Sequence, residues 1–179
     1  MIFKTYTVVF EGVEARCIVV RCALSAGLPG FSLVGLPNQA VSEARDRVRS
    51  ALASMSIALP SKRITVNLSP ADLPKDGSHF DLPIALALMA AIGVIAQDAC
   101  ENTVSLGELS LDGALVPVRG ALPAAVTAAG SDRLLICPRA CGPEAAWVAT
   151  AQVIGRWLHL KETTQRINPT KQSYCLIMV

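Results

Sequence analysis

Asp76, Ser78, His79 and Asp81 put two carboxylates, a hydroxyl and an imidazole within six residues. Lys75 precedes them, and a long apolar run follows from Leu82. Three chemistries are open to such a set. Ser78 with a base beside it, His79 or Lys75, is a nucleophile in waiting. Asp76, His79 and Asp81 are residue types that hold a metal through carboxylate oxygen and imidazole nitrogen. N–H groups at a helix start favour an anion, either a nucleic-acid phosphate or a partner carboxylate. The plainer expectation is structural: Asp76-Gly77 makes a turn, and Asp81 or Ser78 caps the helix. Adjacent residues such as Ser78 and His79 rarely orient into a nucleophile–base pair.

The elements that position this cluster are legible from pattern. Residues 7–10, a Glu11-Gly12 turn and residues 13–21 carry a hairpin signal. A glycine-rich turn leads into a short strand at residues 31–34. Asn38 then caps a helix whose apolar positions are Val41, Ala44, Val48, Ala51, Leu52 and Met55. Glu43 and Arg47 form an i,i+4 pair expected on its outer surface. Residues 63–68 read as a strand that delivers the chain to the cluster. The run from Leu82 is apolar all round, so it is expected in the core, with Asp81 as N-cap and Pro83 in the first turn. Residues 103–118 read as one hairpin around Asp112-Gly113. A small-residue helix at 122–129, a strand at 133–137, a helix from Pro143 to about residue 149 and a strand at 152–154 complete the expected order.

Bulk properties narrow the class. The chain has 179 residues, about half of them apolar, which suits one well-buried domain and argues against disorder. A net charge of +2 does not by itself imply nucleic acid. Arg45, Arg47, Arg49, Lys62 and Arg63 are the candidate nucleic-acid or subunit contacts. The apolar run from Leu82 is shorter than the roughly 20 residues a bilayer requires, so no membrane association is expected. The start of the chain lacks a basic region followed by an apolar stretch, so no signal peptide and a cytoplasmic location are expected. The six cysteines are then expected to be reduced thiols, and their spacings are not those of a zinc knuckle.

Several separated motifs carry a resemblance. They are Phe31-Ser-Leu-Val-Gly-Leu-Pro37, Val41-Ser-Glu-Ala-Arg-Asp-Arg-Val-Arg-Ser-Ala-Leu52, the stretch from Lys62 to Pro83 containing Pro74-Lys-Asp-Gly77, and Gly107-Glu-Leu-Ser-Leu-Asp-Gly113. Together they resemble the N-terminal domain of the magnesium-chelatase-like AAA+ proteins, the family of YifB and the competence protein ComM. The likeness covers about residues 1–160 and leaves 161–179 as a tail, expected to be poorly ordered. It implies an α+β fold of the ribosomal-protein-S5-domain-2-like class, similar to the proteolytic domain of Lon, with a mixed sheet packed by helices. It also implies a hexameric AAA+ helicase that drives DNA branch migration and recombination in natural transformation. ATP and Mg²⁺ belong to the AAA+ module in that family, and no cofactor is expected in this chain.

This sequence departs from the family pattern in two respects. Gly30 to Gly35 has the glycine spacing of a phosphate-binding loop, but Leu36 and Pro37 follow where Lys and Ser or Thr are required. The chain is therefore expected to be a truncated form without the ATPase. In Lon-like proteases the nucleophilic serine lies two residues after the glycine of Pro-Lys-Asp-Gly; here that residue is His79, and Ser78 is one position early. A one-residue shift at a helix start turns a side chain by about 100°. Leu122 stands where the resemblance places the general-base lysine. The expectation is a non-catalytic domain that serves binding or assembly. The alternatives are a residual serine hydrolase using Ser78 and a remnant without function.

Overall fold

The computed structural model describes residues 2–157 and 160. A ten-residue strand β1 (Ile2–Glu11) folds back on β2 (Glu14–Ser25) in unbroken antiparallel register, from Glu11 opposite Glu14 to Ile2 opposite Ala23. Gly12, at φ +63°, makes the reversal. Strand β3 (Gly30–Val34) runs parallel to β4 (Arg63–Ser69), which pairs antiparallel with β2. On the other side of β1 lie β5 (Thr103–Ser105), β8 (Leu134–Pro138) and β9 (Val153–Trp157), all parallel. The seven-stranded order is β3-β4-β2-β1-β5-β8-β9, a mixed sheet packed with helices. The α+β expectation holds at that level.

Period-two alternation in the strands assigns the two faces. Val20, Cys22, Ile64, Val66 and Leu68 point to one core, which is closed by helices α1 (Gln39–Ser54) and α2 (Asp81–Ala91). Asn38 caps α1 as expected: its backbone is extended and its Oδ1 accepts from Val41 N–H at 3.0 Å. Val41, Ala44, Val48, Ala51 and Leu52 are buried, while Met55 serves as the C-cap. Helix α2 is buried on every side from Asp81 to Ala90. It stops in a Schellman arrangement: Gly93 is at φ +77°, Gly93 N–H reaches Ala90 O at 3.1 Å, and Val94 N–H reaches Met89 O at 2.8 Å. The helix therefore ends before the apolar run does. A second core, with Val8, Val104, Leu106 and Leu135, lies under α4 (Ala121–Gly130) and α5 (Gly142–Ala145) on the opposite sheet face.

Three elements differ from the sequence reading. Residues 103–118 are not one hairpin. Leu106 N–H is taken by Ile136 O and Gly107 N–H by His79 O, so only β6 (Glu108–Leu109) and β7 (Leu115–Val116) pair around the Asp112-Gly113 turn. The helix expected from Pro143 to about residue 149 spans only Gly142–Ala145. A five-residue helix α3 (Gln97–Glu101) is too short to show a period in sequence.

The cysteines Cys17, Cys22, Cys100, Cys137 and Cys141 are free thiols, and Cys175 lies outside the described residues. Burial pushes the thiols of Cys22, Cys100 and Cys137 up to about 12, so they are packing residues rather than nucleophiles. Among the described residues no helix is long and apolar enough to cross a membrane. The tail at 161–179 also lies outside the described residues.

Candidate functional site

The chain leaves β4 at Ser69 and crosses to α2 through residues 70–80. That crossing is pinned to the loop after β3. Asn38 N–H donates to Lys75 O at 3.0 Å, and the Asn38 side-chain amide donates to the Asp76 carboxylate. Gly77, at φ +104°, then turns the chain into a single 3-10 turn, Ser78–Phe80, that runs directly into α2. A Cβ on Gly77 would lie 2.8 Å from His79 Nδ1, so the close approach as well as the backbone angle selects glycine here.

The turn does not gather its polar side chains into one centre. Ser78 Oγ–H donates to the carboxylate of Glu108 on β6. His79 is buried against the rings of Phe10 and Phe80, at centroid distances of 5.1 and 4.5 Å, and its Nε2–H donates to Val8 O at 2.9 Å. Burial lowers the His79 pKa, partly offset by the Val8 hydrogen bond and by Asp76, so the imidazole is neutral near pH 7. Lys75 is fully buried, with Nζ donating to Pro70 O. Desolvation lowers its pKa and Asp72 pulls it back. That shift is in the direction a general-base lysine needs, but Nζ is spent on Pro70 O and Ser78 bonds to Glu108 instead. Leu122 sits at the start of α4, 40% exposed, with its N–H donating to Glu144 at 3.0 Å.

Asp81 is the largest correction. It is not the N-cap of α2 but its first residue, and it makes no capping bond. Its carboxylate is fully buried and takes Arg47 in bidentate fashion, Nε at 2.6 Å and Nη2 at 3.0 Å. Leu109 N–H adds a third donor at 3.0 Å. Burial raises the Asp81 pKa, while Arg47 and Leu109 N–H pull it back. Asp76, His79 and Asp81 therefore face three different partners, and among the described residues no cluster of three or more His, Cys, Asp and Glu is placed to hold a metal. The turn has proximity in sequence without convergence in space.

What remains open to solvent is a cleft of about 460 Å³ bordered by Asp76, Gly77, Ser78, Glu108, Val118 and Arg119. Glu108 was not singled out from sequence. Its signal lay in the Gly107-Glu-Leu motif, which reads as fold signature until the β6–β7 hairpin brings it over the turn.

The five candidate contact cations are dispersed. Arg47 is committed to Asp81, with Glu43 at 3.6 Å on its outer side, so it is not a surface group. The reason is that α1 packs on the Ser78–Phe80 turn and α2, which encloses the guanidinium. Arg45 is exposed beside Asp46 at 3.2 Å. Arg49 and Lys62 border a groove of about 670 Å³ between the end of α1 and the loop before β4. Arg63, next in sequence to Lys62, points to the opposite face of the sheet, because Ile64 is the core residue. Residues 30–34 form β3 rather than a phosphate-binding loop, and Leu36 and Pro37 stand where that loop would carry Lys and Ser or Thr, so this segment does not form a Walker-type phosphate cradle.

Neutral His79 makes stability depend on pH. Its folded pKa lies below the usual imidazole value near 6.5, so the unfolded chain binds more protons in the interval between them. Stability is complete above about pH 6.5 and declines as pH falls through that interval. The urea midpoint is expected to drop between pH 7.5 and 5.5, and that drop is expected to shrink in His79→Gln. An equal drop in the variant would assign the dependence to other groups.

Residues 20–140 match the family described as Subunit ChlI of Mg-chelatase. The chain is 46% identical over 138 residues to Competence protein ComM of Haemophilus influenzae, covering 77% of this chain and 27% of that protein. It is 49% identical over 125 residues to Uncharacterized protein YifB of Escherichia coli, covering 70% of this chain and 25% of that protein. It is 43% identical over 125 residues to Uncharacterized protein Rv2897c of Mycobacterium tuberculosis, with 70% and 25% covered. The chain thus spans about a quarter of the length of the curated relatives it matches. With most of its length matched, the chain belongs to the magnesium-chelatase ChlI-like family of ComM and YifB.

Proposed function

We propose that this chain is a non-catalytic, Lon-like N-terminal domain of a ComM-type protein, serving DNA contact or assembly in branch migration and recombination. The observation that carries the non-catalytic part is the dispersal of the turn's side chains. Ser78, His79 and Lys75 bond to Glu108, Val8 and Pro70 respectively, so these three residues do not assemble a nucleophile–base pair of the Ser-Lys or Ser-His type. The DNA part is supported by the relative named for competence and by unpaired surface cations. Arg49, Lys62 and Arg63 make no ion pair among the described residues, whereas Arg47 is used internally. The S5-domain-2-like assignment is supported by the mixed sheet with helices on both faces. ATP, Mg²⁺ and hexamer formation would belong to an AAA+ module, outside the work of these residues, in a cytoplasmic setting.

The second reading, a hydrolase, is favoured by one observation: Ser78 Oγ–H already points at a carboxylate in an open cleft. One assay separates the two. Cleavage of an unfolded protein substrate is expected to be absent in both wild type and Ser78→Ala. Turnover in wild type that vanishes in Ser78→Ala would replace the binding reading with the catalytic one.

A further inference from the structure

Among the described residues, one face of the sheet is only half covered. Helix α4 rests on the start of β2, where Thr127 Oγ1–H donates to Ala15 O at 2.8 Å, and also packs on β1, β5 and β8. Beyond Cys17 the same face of β2 continues as Val19, Arg21 and Ala23, all half-exposed. The register extends that surface across three more strands. Lys4 lies opposite Arg21 on β1, and Asn67 lies opposite Arg21 on β4. Val34 on β3 pairs with Asn67, and Ser32 with Thr65. Ile2 at 58% and Val34 at 43% exposure mark the uncovered ends.

The charges on this surface are of one sign. Its outward positions on β1 to β4 hold Lys4, Arg21 and Arg63, and none of them holds Asp or Glu. Lys4 and Arg21 are direct register partners, and like charges opposite one another destabilise an antiparallel pair. Neither forms an ion pair among the described residues. Arg133 stands at the rim, 3.9 Å above the Tyr6 ring. The hydroxyls of Ser32 and Thr65 and the amide of Asn67 lie between the cations, and such groups contact phosphate oxygens in DNA complexes. A local rule broken without an internal compensation points to an external one. The groove on the other face is bordered by two cations, Arg49 and Lys62, and Arg45 on the same helix as Arg49 is paired with Asp46.

We propose that this open face of β1–β4 binds the phosphate backbone of nucleic acid through Lys4, Arg21 and Arg63. The inference rests on the DNA-contact reading above and assigns its surface. Arg63 pairs with Gly30 and Ser25, and Ser25 is four residues beyond Arg21, about 13 Å along the strand. Three cations at that spread engage roughly three phosphates, without base readout.

The test is fluorescence anisotropy of labelled dT20 with the full 179-residue chain. Between 50 and 200 mM salt, affinity is expected to fall about 20-fold, from a slope near −0.7 per phosphate on a single strand. The variant Lys4→Gln/Arg21→Gln/Arg63→Gln is expected to lose most of the affinity and of the salt slope. Its urea midpoint should stay level or rise, since the like-charge pair is gone. The opposite-face variant Arg45→Gln/Arg49→Gln/Lys62→Gln is expected to lose far less affinity than the first. Loss confined to that second variant would overturn the assignment and leave the DNA-contact reading standing. Polyglutamate competing as well as unlabelled dT20 would overturn nucleic acid in favour of an acidic polypeptide. Absence of wild-type binding at 50 mM salt would remove both.

Discussion

Arg47→Ala is expected to destabilise the domain by about 3–5 kcal/mol, the range for stranding one member of a buried ion pair. Asp81 is fully buried, and two of its three donors come from the Arg47 guanidinium. Without them the carboxylate keeps Leu109 N–H alone. The cost then arises from the uncompensated charge rather than from a missing contact. That origin can be tested by removing the charge as well. In Arg47→Met/Asp81→Asn the side-chain amide oxygen still accepts from Leu109 N–H, and more than half of the loss is expected to return. An equal loss in single and double variants would place the effect in packing. The pH response supplies a second check. Burial already holds the folded Asp81 pKa above its usual value, and Arg47→Ala removes the main opposing influence. The folded state then binds more protons than the unfolded one between the two pKa values, so stability falls as pH rises through that interval. The deficit of Arg47→Ala relative to wild type is therefore expected to shrink toward pH 4.

The Arg47–Asp81 pair also marks where sequence reading reached its limit. Glu43 and Arg47 have helical i,i+4 spacing, which is local information, and that contact exists. The stronger partner is 34 positions away and becomes visible only when α1 and α2 are packed together. Asp81 before an apolar helix has the same local signature whether it caps that helix or pairs with a distant guanidinium. The candidate centre was misleading for a related reason. Asp76, Ser78, His79 and Asp81 are neighbours in sequence, but a tight turn entering a helix directs successive side chains outward, inward and sideways. Proximity along the chain is weak evidence of convergence, whereas Ser78 and Glu108, 30 positions apart, do meet.

Elements with strong periods were legible: the β1–β2 hairpin, the buried stripe of α1 and the all-round burial of α2 follow from apolar spacing and their end signals. The open basic face was not, because it is a property of register. Lys4, Arg21 and Arg63 become neighbours only when β1, β2 and β4 are aligned residue by residue. Lys62 and Arg63 look equivalent in sequence, yet Arg63 opens β4 on the face opposite Ile64, while Lys62 precedes the strand and borders the groove at the end of α1.

Gly35→Ala is expected to be the most damaging single methyl addition in the chain. Gly35 ends β3 at φ +103°, a region that L side chains rarely adopt, and strain of this kind costs about 1–3 kcal/mol. The added Cβ would also lie 2.0 Å from Leu68 O, a backbone atom of β4, which is held between β3 and β2 and cannot swing aside. Relief requires β3 to separate from β4 or Leu36 to move. Leu36 O accepts from Lys75 N–H, and Asn38 N–H returns a bond to Lys75 O, so the crossing that carries Asp76 to Phe80 would shift with it. A loss of at least about 3 kcal/mol is expected, together with altered chemical shifts at Lys75 and Ser78, far along the sequence from the substitution. Gly12→Ala provides the control: φ is +63°, but a Cβ there meets nothing within 4 Å. Its expected cost is only the conformational one, about 1 kcal/mol. If the two variants proved equally stable, the close approach of Gly35 to Leu68 would not be what fixes glycine at the end of β3. The crossing would then owe its position to the Asn38–Lys75 and Asn38–Asp76 bonds alone, and Asn38→Ala would be the variant that releases it.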